Sequence, residues 1–289
     1  METIEMFVTD VDGTLLNNEK KVTEKTRKNL QELKNRGILL GIASGRSVEA
    51  CVHFAKEWGL DQDFSFYVGM NGGSFYDVRQ KIKKDYFKLS GQLILDIIHA
   101  FQDLDVRFLV MDGNNRYVSH STEISQKQAH QFFENEIEVE YETFLPGKEF
   151  NKLILYVDPI HMPDVRRRAA CFKNQSCVGI QTEPHLFEYM DSRINKGIGV
   201  QNVCEHFGVH LENVVAIGDS LNDLEMLQEV GMGVAMKNAN DEIKGISNIV
   251  SDYTNEEDAL GHFIDDFVKF KNPQRLLFDA NLRKKKTKI

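Results

Sequence analysis

No run of about 18 consecutive apolar residues occurs in this chain, so no membrane-spanning helix is expected. Its first residues, METIEMF, carry acids where a secretory leader has a basic stretch followed by an apolar one, so no signal peptide is expected either. Cysteine is sparse. Cys51, Cys171, Cys177 and Cys204 are scattered and form no CxxC pair, which excludes zinc spacing and leads us to expect reduced thiols in a cytoplasmic protein. Positive charge is also short: 35 Lys and Arg face 44 Asp and Glu, a formal net charge of −9. That balance argues against nucleic acid or an anionic membrane as the main partner. The basic tail Arg283-Lys284-Lys285-Lys286, with Lys288, is the exception and reads as a solvated terminus. There is no internal repeat, and nothing signals an oligomeric state.

The 289 residues, 42% hydrophobic and 27% charged, have the make-up of a globular protein large enough for two domains. At the start, apolar runs alternate with amphipathic stretches. IEMFVTD and ILLGIAS read as buried strands, and FSFYVGMNGG as a third with a glycine-rich end. TEKTRKNLQELKNRG, with Thr23 as N-cap and Gly37 beyond its end, and SVEACVHFAKEWGL read as the helices between them. This grammar predicts parallel strands with helices on the sheet faces. From about residue 74 a hairpin turning at Val78 to Gln80 leads into a region where strands follow strands. EISQKQAHQFFENE reads there as a helix, and the unit as antiparallel α+β. After Lys196 the alternating pattern returns and closes with a helix near 256–270. The expectation is an α/β fold: a Rossmann-like, doubly wound core at 1–83 and 190–289, with an α+β domain inserted at 84–189.

The chemistry-bearing residues fall at strand ends. In FVTDVDGTLL, Asp10 and Asp12 stand one residue apart at the carboxyl end of the first strand, where open α/β sheets place their ligand crevice. Asp and Gly are ordinary turn residues, but two acids in this position can also hold magnesium, a hard cation that takes oxygen ligands. IASGRS ends the second strand. Ser44 is either an N-cap or, with the unhindered N–H of Gly45, part of a phosphate cradle at a helix start. In VVAIGDSLNDLEML, Asp219 sits at the turn, with Asn222 and Asp223 just beyond. Lys196, in RINKGIG, passes for a surface lysine alone but becomes the natural counter-charge in a site of several carboxylates and a phosphate. His120 and His185 read as surface or hairpin histidines rather than ligands.

Taken together, DVDGTLL, ASGR, Lys196 within NKG, and GDSLND resemble the four motifs of the haloacid dehalogenase superfamily of phosphatases, in its Cof-type branch with a large α+β cap. The resemblance spans the whole chain. It implies a bound Mg2+ and hydrolysis of a small-molecule phosphate monoester, such as a sugar phosphate or a phosphorylated cofactor, with the cap choosing the leaving group. Asp10 would be the nucleophile and Asp12 the general acid/base. Asp10, the backbone carbonyl of Asp12, and Asp219 would hold the metal, supported by Asp223. Ser44, Gly45, Lys196 and Asn222 would bind the phosphoryl group, with Arg46 and Asn71 at the cavity mouth. Two alternatives stand beside this reading. One is a phospho-acceptor module, although such receivers are near half this length and lack an inserted domain. The other is a catalytically silent binding protein, although neither nucleophile nor metal ligand is missing.

Overall fold

In the computed structural model, residues 4–269 are described; the basic tail lies outside them. They divide into two compact units. Residues 4–46, 54–84 and 195–269 form the first, and residues 47–53 with 85–194 form the second.

The first unit opens with strand β1 (Met6–Thr9), helix α1 (Glu24–Asn35), β2 (Leu39–Ala43), α2 (Val48–Glu57), β3 (Phe66–Gly69), β4 (Ser74–Asp77) and β5 (Ile82–Asp85), except that residues 48–53 of α2 and the last residue of β5 fall in the second unit. It resumes after the second unit, whose elements take the intervening numbers. These are β6 (Leu89–Ser90), α3 (Gly91–Phe101), β7 (Val106–Asp112), β8 (Asn115–Val118), α4 (Glu123–Gln131), β9 (Asn135–Glu138), α5 (Tyr141–Phe144), β10 (Glu149–Phe150), β11 (Lys152–Val157), α6 (Met162–Cys171), β12 (Cys177–Glu183) and β13 (Leu186–Asp191). The return begins with α7 (Lys196–Phe207) and β14 (Val214–Gly218). It continues with α8 (Leu224–Glu229), β15 (Met232–Ala235), α9 (Asp241–Ile246), β16 (Ile249–Val250) and α10 (Ala259–Lys269).

The strand order of the first sheet is β16-β15-β14-β1-β2-β3-β4-β5, parallel from β16 through β3 and antiparallel between β3 and β4. All four residues of β1 are buried, as a parallel strand covered on both faces requires. Thr9 lies opposite Ile42 on one side and Ile217 on the other. The chain therefore leaves β1, β2 and β14 at the same edge of the sheet, where the strand order reverses. That is the switch point at which such sheets open a crevice. Thr23 caps α1 by accepting from the Thr26 N–H, and Gly37, at φ +82°, follows that helix as the sequence suggested.

The second unit holds a six-stranded sheet of order β12-β13-β11-β7-β8-β9 and a two-stranded one, β10-β6. Leu153, Leu155 and Val157 of β11, with Val110, Phe187 and Tyr189 from its neighbours, share one apolar cluster with Ile94 and Phe101 of α3 and Val165 of α6. Two expectations change here. The helix predicted through EISQKQAHQFFENE ends at Gln131, because Phe133 is left-handed (φ +59°) and the N–H groups of Phe133 and Glu134 turn back to the carbonyls of His130 and Ala129. Residues 135–138, of which only Asn135 and Glu136 fell within the predicted helix, form β9, which pairs parallel with β8 in an otherwise antiparallel sheet. The closing helix begins at Ala259, later than 256, because residues 254–258 form a turn that ends in left-handed Asp258.

Candidate active site

The switch point gathers the strand-end acids. Asp10 follows β1, Ser44 follows β2, and Asp219 follows β14. Lys196 is the first residue of α7, whose N-cap Asn195 accepts from the Ile198 N–H and so fixes where the helix begins. From there the lysine, fully buried, donates to Asp10 Oδ1 and to Asp223 Oδ1, both at 2.6 Å. Asp223, also fully buried, accepts through its other oxygen from the N–H groups of Asp219 and Ser220 at 2.9 and 3.0 Å. Carboxylate oxygens of Asp10, Asp219 and Asp223 lie within 4.8 Å of one another.

Two glycines allow this convergence. Gly13 has φ +87°, and a Cβ there would sit 2.5 Å from Asp219 Oδ2. A Cβ on Gly218 would meet the Asp223 carboxyl carbon at 2.5 Å. Both residues must remain glycine for the acids to approach.

Electrostatics show strain between these groups. Burial pushes the Asp10 carboxyl well above its usual range, and the charges of Asp223 and Asp219 add to this despite the opposing Lys196. Burial, then Asp223, push Asp219 up to about 6. For Lys196 burial works the other way, yet the charges of Asp10 and Asp223 outweigh it and raise the ammonium's pKa. Three carboxylates thus face one ammonium. A divalent cation with oxygen ligands matches this donor set and its surplus of negative charge.

Asp12 points elsewhere. It is 39% exposed and takes a two-pronged ion pair from Arg46, Nη2 to Oδ2 at 2.9 Å and Nε to Oδ2 at 3.2 Å, plus a 2.8 Å contact from Lys20. Burial would raise its pKa, but Arg46 and Lys20 together hold it below the ordinary value. Among the described residues, the Asp12 side chain enters no carboxylate cluster.

Ser44 does not serve as the cap of α2: that role falls to Ser47, whose hydroxyl accepts from the Ala50 N–H. Ser44 Oγ instead accepts from the Arg46 N–H, and its carbonyl accepts from the Asn71 N–H. Asn71 is buried in a left-handed backbone, φ +54°, and its Oδ1 accepts from Asn222 Nδ2 at 3.1 Å. Ser44, Asn71 and Asn222 thus form one connected polar wall, and Gly45 lies against it, since a Cβ there would come within 3.2 Å of Asn71 Oδ1.

Three neighbours were missed in the sequence. Thr14 Oγ1 donates to Asp219 Oδ1 at 2.9 Å, and Asn238 Nδ2 donates to the Gly13 carbonyl at 2.9 Å. Lys20 reaches Asp12. Thr14 was open to view in DGT, whereas Asn238 lies beyond β15 in a loop with no motif of its own. His120 and His185 lie beside Glu138 and Glu183 in the second unit, outside the acid cluster.

A parallel sheet whose switch point holds an acid cluster around one buried lysine defines a class of α/β enzymes that handle phosphate. The profile of the haloacid dehalogenase-like hydrolases matches residues 7–264. The chain belongs to that family and is a phosphatase of its Cof type. It is 30% identical over 267 residues to a 5-amino-6-(5-phospho-D-ribitylamino)uracil phosphatase of Bacillus subtilis, covering 92% of this chain and 96% of the relative. A second B. subtilis protein of the same name is 27% identical over 283 residues, covering 91% and 97%. A haloacid dehalogenase-like hydrolase from Bacteroides thetaiotaomicron superposes with a TM-score of 0.79 at 26% identity, covering 92% of this chain and all of that one. The alternatives of a receiver module and a silent binding protein give way to these findings.

Proposed function

We propose that the protein is a Mg2+-dependent phosphatase that hydrolyses a small-molecule phosphate monoester through a phosphoryl group carried on Asp10. The observation that carries this reading is the buried Lys196 held between Asp10 and Asp223. An ammonium so placed offsets the repulsion an anionic nucleophile meets when it approaches a phosphate. The other roles belong to the same reading. Ser44, Gly45, Lys196 and Asn222 hold the phosphoryl oxygens, and Arg46 and Asn71 line the approach. Asp10, Asp219 and Asp223, with the Asp12 carbonyl, hold the metal. When bound, that metal supplies charge neutralisation and polarisation of the phosphoryl group.

In the first half-reaction an Asp10 carboxylate oxygen bonds to phosphorus, the bond from phosphorus to the ester oxygen breaks, and Asp12 protonates the departing alkoxide. In the second, Asp12 takes a proton from water as the water oxygen attacks phosphorus, releasing inorganic phosphate and restoring Asp10. The release of Asp12 from Arg46 and Lys20 as substrate enters belongs to this scheme, since an acid held below its ordinary pKa is a poor proton donor.

The substrate we favour is a phosphorylated open-chain polyol on a heterocyclic amine, the chemistry named for the two B. subtilis relatives. Cys171, Cys177 and Cys204 form no disulfide, which supports a reducing, cytoplasmic setting. The test is release of phosphate from a panel containing 5-amino-6-(5-phospho-D-ribitylamino)uracil, hexose phosphates, flavin mononucleotide and pyridoxal phosphate. A preference for the ribityl compound supports the substrate. A preference for another monoester overturns the substrate and keeps the mechanism, and hydrolysis of none overturns both.

A further inference from the structure

Strand β15 runs parallel to β14 with Ala235 opposite Gly218, so the chain leaves both strands at the same edge of the first sheet. The turn after β15 is pinned by backbone hydrogen bonds. The Met236 N–H donates to the Gly218 carbonyl, the Lys237 N–H to the Tyr253 carbonyl, and the Ala239 N–H to the Met236 carbonyl, at 3.0, 3.1 and 3.0 Å. Asn238 stands exposed in this turn, yet both ends of its amide are engaged. Its Nδ2 donates to the Gly13 carbonyl at 2.9 Å and makes a longer contact of 3.4 Å with Asp219 Oδ2, while its Oδ1 accepts from the Asn255 N–H at 3.0 Å.

These contacts converge on one carboxylate. Asp219 Oδ1 accepts from Thr14 Oγ1 at 2.9 Å, and Oδ2 faces the Ser220 hydroxyl at 3.3 Å as well as Asn238. All three donors are neutral, so they orient the carboxylate without cancelling the negative charge that attracts a cation. Through the Gly13 carbonyl, Asn238 also holds the left-handed turn, φ +87°, that directly follows Asp12.

We propose that Asn238 is a positioning residue of the reaction, holding the Asp219 carboxylate and the turn after Asp12 in the arrangement that takes the divalent cation. This role rests on the reading of the acid cluster as a Mg2+ site, and the residue lies outside the four motifs. Groups that hydrogen-bond the ligands of a metal set their direction before the ion arrives, and losing one typically weakens affinity by about 10–100-fold. Asn255 supplies the contrast. Its Nδ2 donates to the Leu16 carbonyl at 3.0 Å and lies 3.4 Å from Asn18 Oδ1, so it anchors the same loop. Among the described residues, its side chain bonds to no carboxylate of the cluster.

The experiment is titration of the metal-stripped full chain with Mg2+, without substrate, followed by the rise in Tm that a ligand of the folded state produces. The parent, Asn238→Ala and Asn255→Ala are compared, and hydrolysis of p-nitrophenyl phosphate is measured across the same Mg2+ range. Asn238→Ala should weaken Mg2+ binding by about tenfold or more and raise the half-activating Mg2+ concentration by the same factor, with kcat recovering at saturating Mg2+. Its Tm in EDTA should fall by no more than about 3 °C, the scale of an exposed substitution. Asn255→Ala should keep its Mg2+ affinity within about twofold of the parent, since it leaves the ligands' own partners in place. An unchanged affinity in Asn238→Ala overturns the inference and leaves the phosphatase reading intact. An equal loss in Asn255→Ala overturns it as well, because anchoring of the loop would then account for both. Failure of Asn238→Ala to fold in EDTA overturns it by assigning the residue to stability. A parent whose Tm ignores Mg2+ overturns the inference, and if that parent also hydrolyses no ester the phosphatase reading falls with it.

Discussion

Replacing Lys196 with Met tests the electrostatic frame of the site. The ammonium is fully buried, with two carboxylate oxygens at 2.6 Å. At that distance each ion pair is worth about 6 kcal/mol in an effective dielectric of about 20, and desolvation of all three ions offsets most of this. What remains decisive is the state after removal: Asp10 and Asp223 stay buried with no cation between them, and Asp219 adds a third carboxylate. Breaking such a buried pair by deleting one partner costs about 3–5 kcal/mol, and Met matches the lysine stem well enough to leave no large cavity. Lys196→Met should therefore lower the urea stability of the first unit by about 3–5 kcal/mol in EDTA, read as a shift in midpoint at unchanged slope. Mg2+ should narrow that deficit, because a dication binding only the folded cluster offsets the charge the ammonium no longer balances. A loss below about 1 kcal/mol, the scale of an exposed ion pair, would refute the reasoning by showing that the three carboxylates are already relieved by solvent.

Further outcomes follow from the same geometry. Asp10→Asn should keep the fold and lower the hydrolysis of p-nitrophenyl phosphate by about 10³-fold or more, since an amide is not a nucleophile; a rate near the parent's would remove Asp10 from that role. Activity should vanish in EDTA, return with Mg2+ and return poorly with Ca2+, whose longer and more numerous bonds loosen the site; full activity after metal removal contradicts the carboxylate cluster as a metal site. Gly13→Ala, forced to φ +87° with its Cβ 2.5 Å from Asp219 Oδ2, should cost about 1–3 kcal/mol and raise the Mg2+ concentration needed for half activity. Unchanged values for both would show that Asp219 yields without cost.

Strand ends were the most legible part of the sequence, because an apolar run stopping at an acid or at Ser-Gly is a local signal. Asp10, Ser44 and Asp219 were found this way, and the sheet order explains why such ends converge. Lys196 was weaker on its own. Its burial depends on Asn195 starting α7 at that residue, and its partners lie 186 and 27 residues away. The constraint of Asp12 by Arg46 and Lys20 was not readable, since Lys20 reaches it from a turn held by left-handed backbone. In the second unit, Ile137, Val139 and Tyr141 alternate with Glu136, Glu138 and Glu140, a period-2 strand signal that was missed, and the predicted helix was carried through Asn135 and Glu136 into the start of β9.

The central claim is that Asp10 carries the phosphoryl group, and it is tested most directly by trapping that species. Asp12→Ala should still allow attack on p-nitrophenyl phosphate, whose leaving group needs little protonation, while slowing hydrolysis of the intermediate, which needs a base to activate water. Rapid quenching followed by intact-protein and peptide mass measurement should find one added phosphoryl group, located on the peptide containing Asp10. An unmodified protein under turnover, or a phosphoryl group on any other residue, would contradict the account.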